Sequence, residues 1–192
     1  MTNTTTLAGG KKTLVVYYSL SGNTARVARD VAARLGADIE SIQDRGHGVG
    51  FFGYLKDCLD ALRGVPAKIG PLAKSPGDYA LTIVGTPVWA GHLTPAVRSY
   101  LQQTQGRLGK VAFFATSGNT GVAKLLPAIE LLADTRLVAT AGFNERELAA
   151  QDGYEKKLAA FVDEIQGRYT RPEAAVGTPR GESVNELHAS RP

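Results

Sequence analysis

Three short stretches of the 192-residue chain hold side chains with the types and spacing for chemistry. The first is Ser19-Leu20-Ser21-Gly22-Asn23-Thr24, in which five of six residues are small or can donate a hydrogen bond from the side chain. It follows the apolar run Thr13 to Tyr18 and precedes Ala25, Ala28, Val31, Ala32 and Leu35, which recur at helical spacing. A loop between a strand and a helix lies where the first helical amides are unpaired and the dipole is positive, a setting suited to an anion such as phosphate. The same loop also reads as an ordinary N-cap, with Ser or Asn capping the helix and Gly relieving the turn. No lysine follows Gly22, so it is not the Gly-Lys-Ser/Thr nucleotide loop. Its single glycine also excludes the G-x-G-x-x-G dinucleotide fingerprint.

The second stretch, Thr86-Pro87-Val88-Trp89-Ala90-Gly91-His92, holds the only tryptophan. Trp89 either offers a flat face to a planar ligand from an exposed loop or packs down as a core plug, as large aromatics do for their buried area. The third stretch is Thr116-Ser117-Gly118-Asn119-Thr120-Gly121, and its Ser-Gly-Asn-Thr repeats the letters of residues 21 to 24. A shared strand-to-helix turn requirement explains that echo without a duplication. This stretch contains no acidic residue and no aromatic.

The remaining candidates are weaker. Cys58 and Arg63 fall one residue short of a C-x5-R phosphatase loop, in a helical pattern, so Cys58 reads as a small buried hydrophobe. His92 is placed to donate to a ligand oxygen, or is a solvated loop histidine; His47 and His188 fall in loop and tail. With no H-E-x-x-H, no C-x-x-C and no clustered ligands, no metal site is expected. Phe51, Phe52 and Tyr54 lie on a helical pattern whose stripe reads as core, or as a lid over a site.

These stretches need elements to position them. Residues 13–18, 37–42, 80–85, 111–115 and 137–141 read as strands. Helices are expected over about 25–35, 51–62, 94–104, 122–132 and 154–165, with Pro127 kinking the fourth or delaying its start. Alternating strands and helices make an α/β fold: a three-layer α/β/α, doubly wound, five-stranded parallel sheet. The order 2-1-3-4-5 puts any ligand at the carboxyl ends of strands one and three, where the loops at 19–24 and 86–92 meet. Residues 1–12 are expected to form a polar tail, 13–167 the domain, and 168–192 a second tail.

Bulk composition narrows the function classes. Hydrophobic residues at 43% and charged residues at 21% suit one globular domain. Net charge is +4 from 22 basic and 18 acidic residues, without the basic block and interleaved aromatics of a nucleic-acid surface. No apolar run is long enough to span a membrane. The N-terminus lacks an apolar signal region and the single cysteine fits a reducing compartment, so a cytoplasmic protein is expected.

The pattern S-x-S-G-N-T after an apolar first strand resembles the phosphate loop of the flavodoxin-like family, Thr/Ser-x-Thr/Ser-G-x-Thr, at Ser19, Ser21, Gly22 and Thr24. The run T-P-V-W-A-G-H resembles that family's second loop, in which an aromatic after Thr-Pro borders the isoalloxazine. The resemblance covers about residues 13–167 and implies FMN as cofactor and the short-chain type of the fold, with no large insertion in strand five. It assigns the phosphate to Ser19, Ser21, Gly22, Asn23 and Thr24, with Leu20 also at the cofactor. It assigns the ring to Thr86, Pro87, Val88, Trp89, Ala90 and Gly91, with Thr116, Ser117, Gly118, Asn119, Thr120 and Gly121 closing the site. No catalytic side chain is required, because the flavin supplies the redox chemistry.

The chain departs from the family in two ways. It is basic where electron shuttles are acidic, and its third loop lacks the usual acidic residue and aromatic. The second tilts the expectation toward an FMN-dependent oxidoreductase that takes reducing equivalents from NAD(P)H and passes them to a quinone-like acceptor, possible as a homodimer. The alternatives are a one-electron shuttle docking on protein redox partners, and a non-redox phosphate- or partner-binding module.

Overall fold

The computed structural model of the chain describes residues 12–45, 63, 65–118 and 122–170. Among the described residues six strands are present: β1 (Lys12–Tyr17), β2 (Asp38–Ser41), β3 (Tyr79–Trp89), β4 (His92–Leu93), β5 (Lys110–Ser117) and β6 (Leu137–Asn144). The α-helices of the described residues are α1 (Asn23–Leu35), α2 (Pro95–Thr104), α3 (Leu126–Ala133), α4 (Glu145–Ala149) and α5 (Gln151–Thr170). The expected helix over 51–62, with Cys58 and the lid candidates Phe51, Phe52 and Tyr54, lies outside the described residues, as do Asn119, Thr120, Gly121, His47 and His188.

The main sheet runs β2-β1-β3-β5-β6, every neighbouring pair parallel. Counting only its parallel strands, this is the expected 2-1-3-4-5 order. β4 is a short antiparallel addition to the end of β3. Side chains alternate across the sheet, so the apolar runs of the central strands supply both faces at once. Leu14, Val16, Val84 and Phe113 pack with α2 and α3 through Val97, Leu101 and Ile129. Val15, Ile83, Ala112 and Phe114 pack on the other face with α1 and α5, through Val27, Val31, Leu158 and Phe161.

Several local expectations needed correction. In β2 the apolar member of the alternation faces out, since Ile39 is 37% exposed. The carboxylate of Glu40 is instead engaged, accepting from the backbone N–H of Ala73 (2.6 Å) and Lys74 (3.1 Å). The wet face and the dry face are therefore not divided by residue polarity on this edge strand. Of the two outcomes expected at Pro127, the later start is the one seen: Pro127 sits in the first turn of α3, after a separate 3-10 turn at Val122–Lys124. Gly167 lies inside α5, which continues to Thr170.

Three buried phenols make the fold sensitive to base. The Tyr79 hydroxyl is pushed up to about 12 by burial, by its hydrogen bond to the Asp38 carboxylate (2.8 Å) and by nearby acids. Burial, first of all, also raises Tyr100 and Tyr154, and Tyr154 adds a 2.5 Å bond to Asp30 Oδ2. The folded state thus favours the protonated phenols more than the unfolded chain does. Their contribution is complete below the ordinary tyrosine value of 10.0 and is lost as pH rises through the folded values. The urea midpoint is expected to hold up to pH 9 and fall between pH 10 and 12; equal midpoints at pH 9 and pH 12 would contradict this.

Candidate functional site at the carboxyl ends of the strands

The loop after β1 is built around Gly22. Its φ of 93° is left-handed, which glycine adopts without strain, and it stands as the N-cap of α1. The Ser19 hydroxyl accepts from the Gly22 N–H (3.2 Å), and the Arg26 N–H donates to the Gly22 carbonyl (2.9 Å) to begin the helix. No side chain caps α1, and its first turn holds no acidic residue. This answers the N-cap alternative: neither Ser21 nor Asn23 spends its side chain on the helix, and the first amides of α1 keep no intrahelical partner. Arg26, in the first turn of α1, donates to the Leu148 carbonyl (2.8 Å) and lies 4.6 Å over the Tyr154 ring.

The expected loop at residues 86–92 is a hairpin. β3 continues through Trp89, and β4 pairs with it as Val88↔Leu93 and Trp89↔His92. The two turn residues, Ala90 and Gly91, have φ of 49° and 79°. A two-residue turn with both φ positive matches the twist of antiparallel strands. Thr86 is buried, its hydroxyl within 2.9 Å of the Pro87 carbonyl and 3.0 Å of the Thr94 hydroxyl, where it ties the hairpin base to the start of α2. Trp89 does not present an open ring. It is 5% exposed and packs edge-to-face on Tyr18, with centroids 5.7 Å apart. The area of the indole outweighs the loop position, so Trp89 is a plug whose edge borders the site.

The four strand ends enclose a cleft of about 250 Å³. Leu20, Ser21 and Asn23 line it from the first loop, and Pro87, Val88 and Trp89 from the end of β3. Thr116, Ser117 and Gly118 line it from β5. The structure therefore brings these nine expected residues together. Ser19, Gly22, Thr24 and Thr86 are not among the lining residues, and neither are Ala90 and Gly91, which form the hairpin turn. His92 is half-buried on β4 and does not line the cleft.

Sequence reasoning missed a fourth wall, Glu145 and Leu148 on α4. Its signal was present as Asn144 followed three residues later by Glu147, a capping box. The Glu147 N–H donates to Asn144 Oδ1 (2.8 Å), and the Asn144 N–H to Glu147 Oε2 (2.9 Å). Burial opposes the charge on Glu147. The Lys157 ammonium at 2.7 Å and the Asn144 N–H outweigh that and hold the carboxyl below its usual value. α4 is thereby anchored, and Glu145, at its first position, contributes the one ionisable group among the cleft-lining residues. Among the described residues, no group of three or more His, Cys, Asp or Glu could hold a metal ion, and no helix is long and apolar enough to cross a membrane.

No protein-family model and no curated protein matches this chain. Solved structures do. A flavoprotein in complex with FMN from Lactobacillus acidophilus is 23% identical, with a TM-score of 0.58, over 74% of this chain and 99% of that one. The apo-form of the flavoprotein from the same organism gives 23% identity and a TM-score of 0.56, over 74% and 97% of the two chains. A candidate flavoprotein from Bacteroides uniformis gives 21% and 0.59, over 78% of this chain and all of that one. With its strand order and layers, the chain has the flavodoxin-like fold.

Proposed function

We propose that this chain binds FMN in the cleft at the strand ends and carries electrons with it. The observation that carries this reading is the cleft itself. An uncapped helix N-terminus with the free side chains of Ser21 and Asn23 meets apolar walls from Pro87, Val88, Leu20 and Leu148. The first end fits a phosphate through amides and hydroxyls. The apolar walls fit a ring, and Leu20, 47% exposed at the mouth, is an apolar side chain placed to be covered by one. The structural neighbours described as flavoproteins, one of them in complex with FMN, support the choice of ligand.

When bound, FMN supplies the redox chemistry, and the chain's residues hold, orient and shield it. Ser19, Gly22 and Thr24 shape the phosphate loop. Pro87 and Val88 form one wall of the ring site, and Thr116 to Gly118 its floor. The described part of the third loop adds no aromatic to cover the ring. A ring face not covered by this loop would suit a flat partner, which favours an oxidoreductase using NAD(P)H and a quinone-like acceptor over a shuttle.

Titration of the purified protein with FMN, followed by absorbance, then NADPH and a quinone, tests this reading. The flavin bands are expected to shift on binding, bleach with NADPH and return with the quinone. Bands that shift but stay oxidised would replace the enzyme with a shuttle awaiting a protein donor. No shift at micromolar FMN would remove the flavin altogether and leave a non-redox module.

A further inference from the structure

Beneath the cleft, two buried hydroxyls meet. Thr24, in the first turn of α1, and Thr116, near the end of β5, are 2.7 Å apart at their Oγ1 atoms. They are 1% and 5% exposed. The bond joins residues 92 positions apart, and Thr116 itself pairs with Pro87 of β3 and Phe143 of β6. The strand that carries the cleft floor is therefore pinned to the helix whose first amides face the cleft. Two other features leave α1 in need of that pin at this end. Its N-cap is a glycine with no side-chain bond, and nothing lies within 4 Å of where a Gly22 side chain would start.

We infer that the Thr24–Thr116 hydroxyl pair positions the phosphate-binding end of the site, so that the α1 amides are fixed before the ligand arrives. This rests on the FMN reading and names a device within it. Both residues are positioning residues in this role. The 2.7 Å contact fixes the Thr24 hydroxyl against Thr116, and either oxygen can be its donor. An anion held by preset dipoles is sensitive to their placement, because no mobile cation among the lining residues can follow it.

The consequence separates phosphate from ring. Riboflavin shares the ring and ribityl chain of FMN but lacks the phosphate. Thr116→Val keeps the shape and removes one hydroxyl. It is expected to weaken FMN binding about three- to tenfold more than riboflavin binding, the span of one net hydrogen bond. Thr116→Ser restores the hydroxyl and is expected to restore the wild-type ratio of the two affinities. Thr24→Val breaks the same bond from the other end and is expected to repeat the loss, so the test stands if one variant fails to fold. Equal weakening of FMN and riboflavin, or an unchanged ratio in folded variants, would overturn the inference. A wild-type protein that binds riboflavin as tightly as FMN would instead overturn the phosphate cradle itself, and the two failures are distinguishable.

Discussion

Ser21→Asp is expected to lower the affinity for FMN by about a hundredfold or more while leaving the fold intact. Ser21 is exposed, lines the cleft beside the uncapped start of α1, and makes no capping bond that the change would break. A carboxylate there meets the phosphate as a like charge. Two unit charges about 4 Å apart interact by about 1 kcal/mol in water and about 4 kcal/mol at the effective dielectric near a protein surface. The new carboxylate also occupies the amides that the phosphate would use, as acidic residues favour helix starts. Parallel isothermal titrations with FMN and riboflavin check this, because riboflavin should lose far less. An FMN affinity within a few-fold of wild type would mean that the phosphate does not lie at this loop.

Gly85→Ala is expected to be among the most destabilising single substitutions in the molecule. A Cβ at this position would lie 2.2 Å from Cζ of Phe114, with two more ring atoms within 2.8 Å. Gly85 and Phe114 are paired across β3 and β5 in the middle of the sheet. The Phe114 ring is wedged edge-on between Phe143 and Phe161, at centroid distances of 6.4 and 6.3 Å. It cannot swing aside without moving both, so the central strands must part. Overpacking of this kind costs about 3 kcal/mol, which for a domain of this size lowers Tm by about 6–12 °C. Gly153→Ala is the control: it lies in α5 with nothing within 4 Å, and it is expected to leave Tm unchanged or raise it. Equal melting temperatures for Gly85→Ala and wild type would show that the ring is free to move.

The parallel sheet was legible in the chain because its central strands are apolar on both faces, and their length and spacing admit few topologies. The loop between β1 and α1 was legible because glycine, hydroxyls and the helical pattern fall together at residues 19–24. Other features depended on long-range packing. Nothing local in Thr86–His92 says that β3 runs on through Trp89. That follows from the pairing of Val88 with Leu93 and from Ala90 taking a positive φ. Ile39 faces outward because the carboxylate on the other side of β2 is held by backbone amides of residues 73 and 74, a contact that no periodicity encodes. The wall from α4 was hidden for a different reason. Its capping box marks a helix start, but only the register of Ser117 against Asn144 brings that start to the cleft.

The burial of Trp89 has an optical consequence. As the sole tryptophan, it makes the indole emission of the whole protein report on a single wall of the cleft. Shielded from water and set against Tyr18, it should fluoresce toward the blue and receive energy from that tyrosine. A flavin against the same wall would drain that emission directly. The side chain that does not stack openly on the ligand is thus the one placed to announce its arrival.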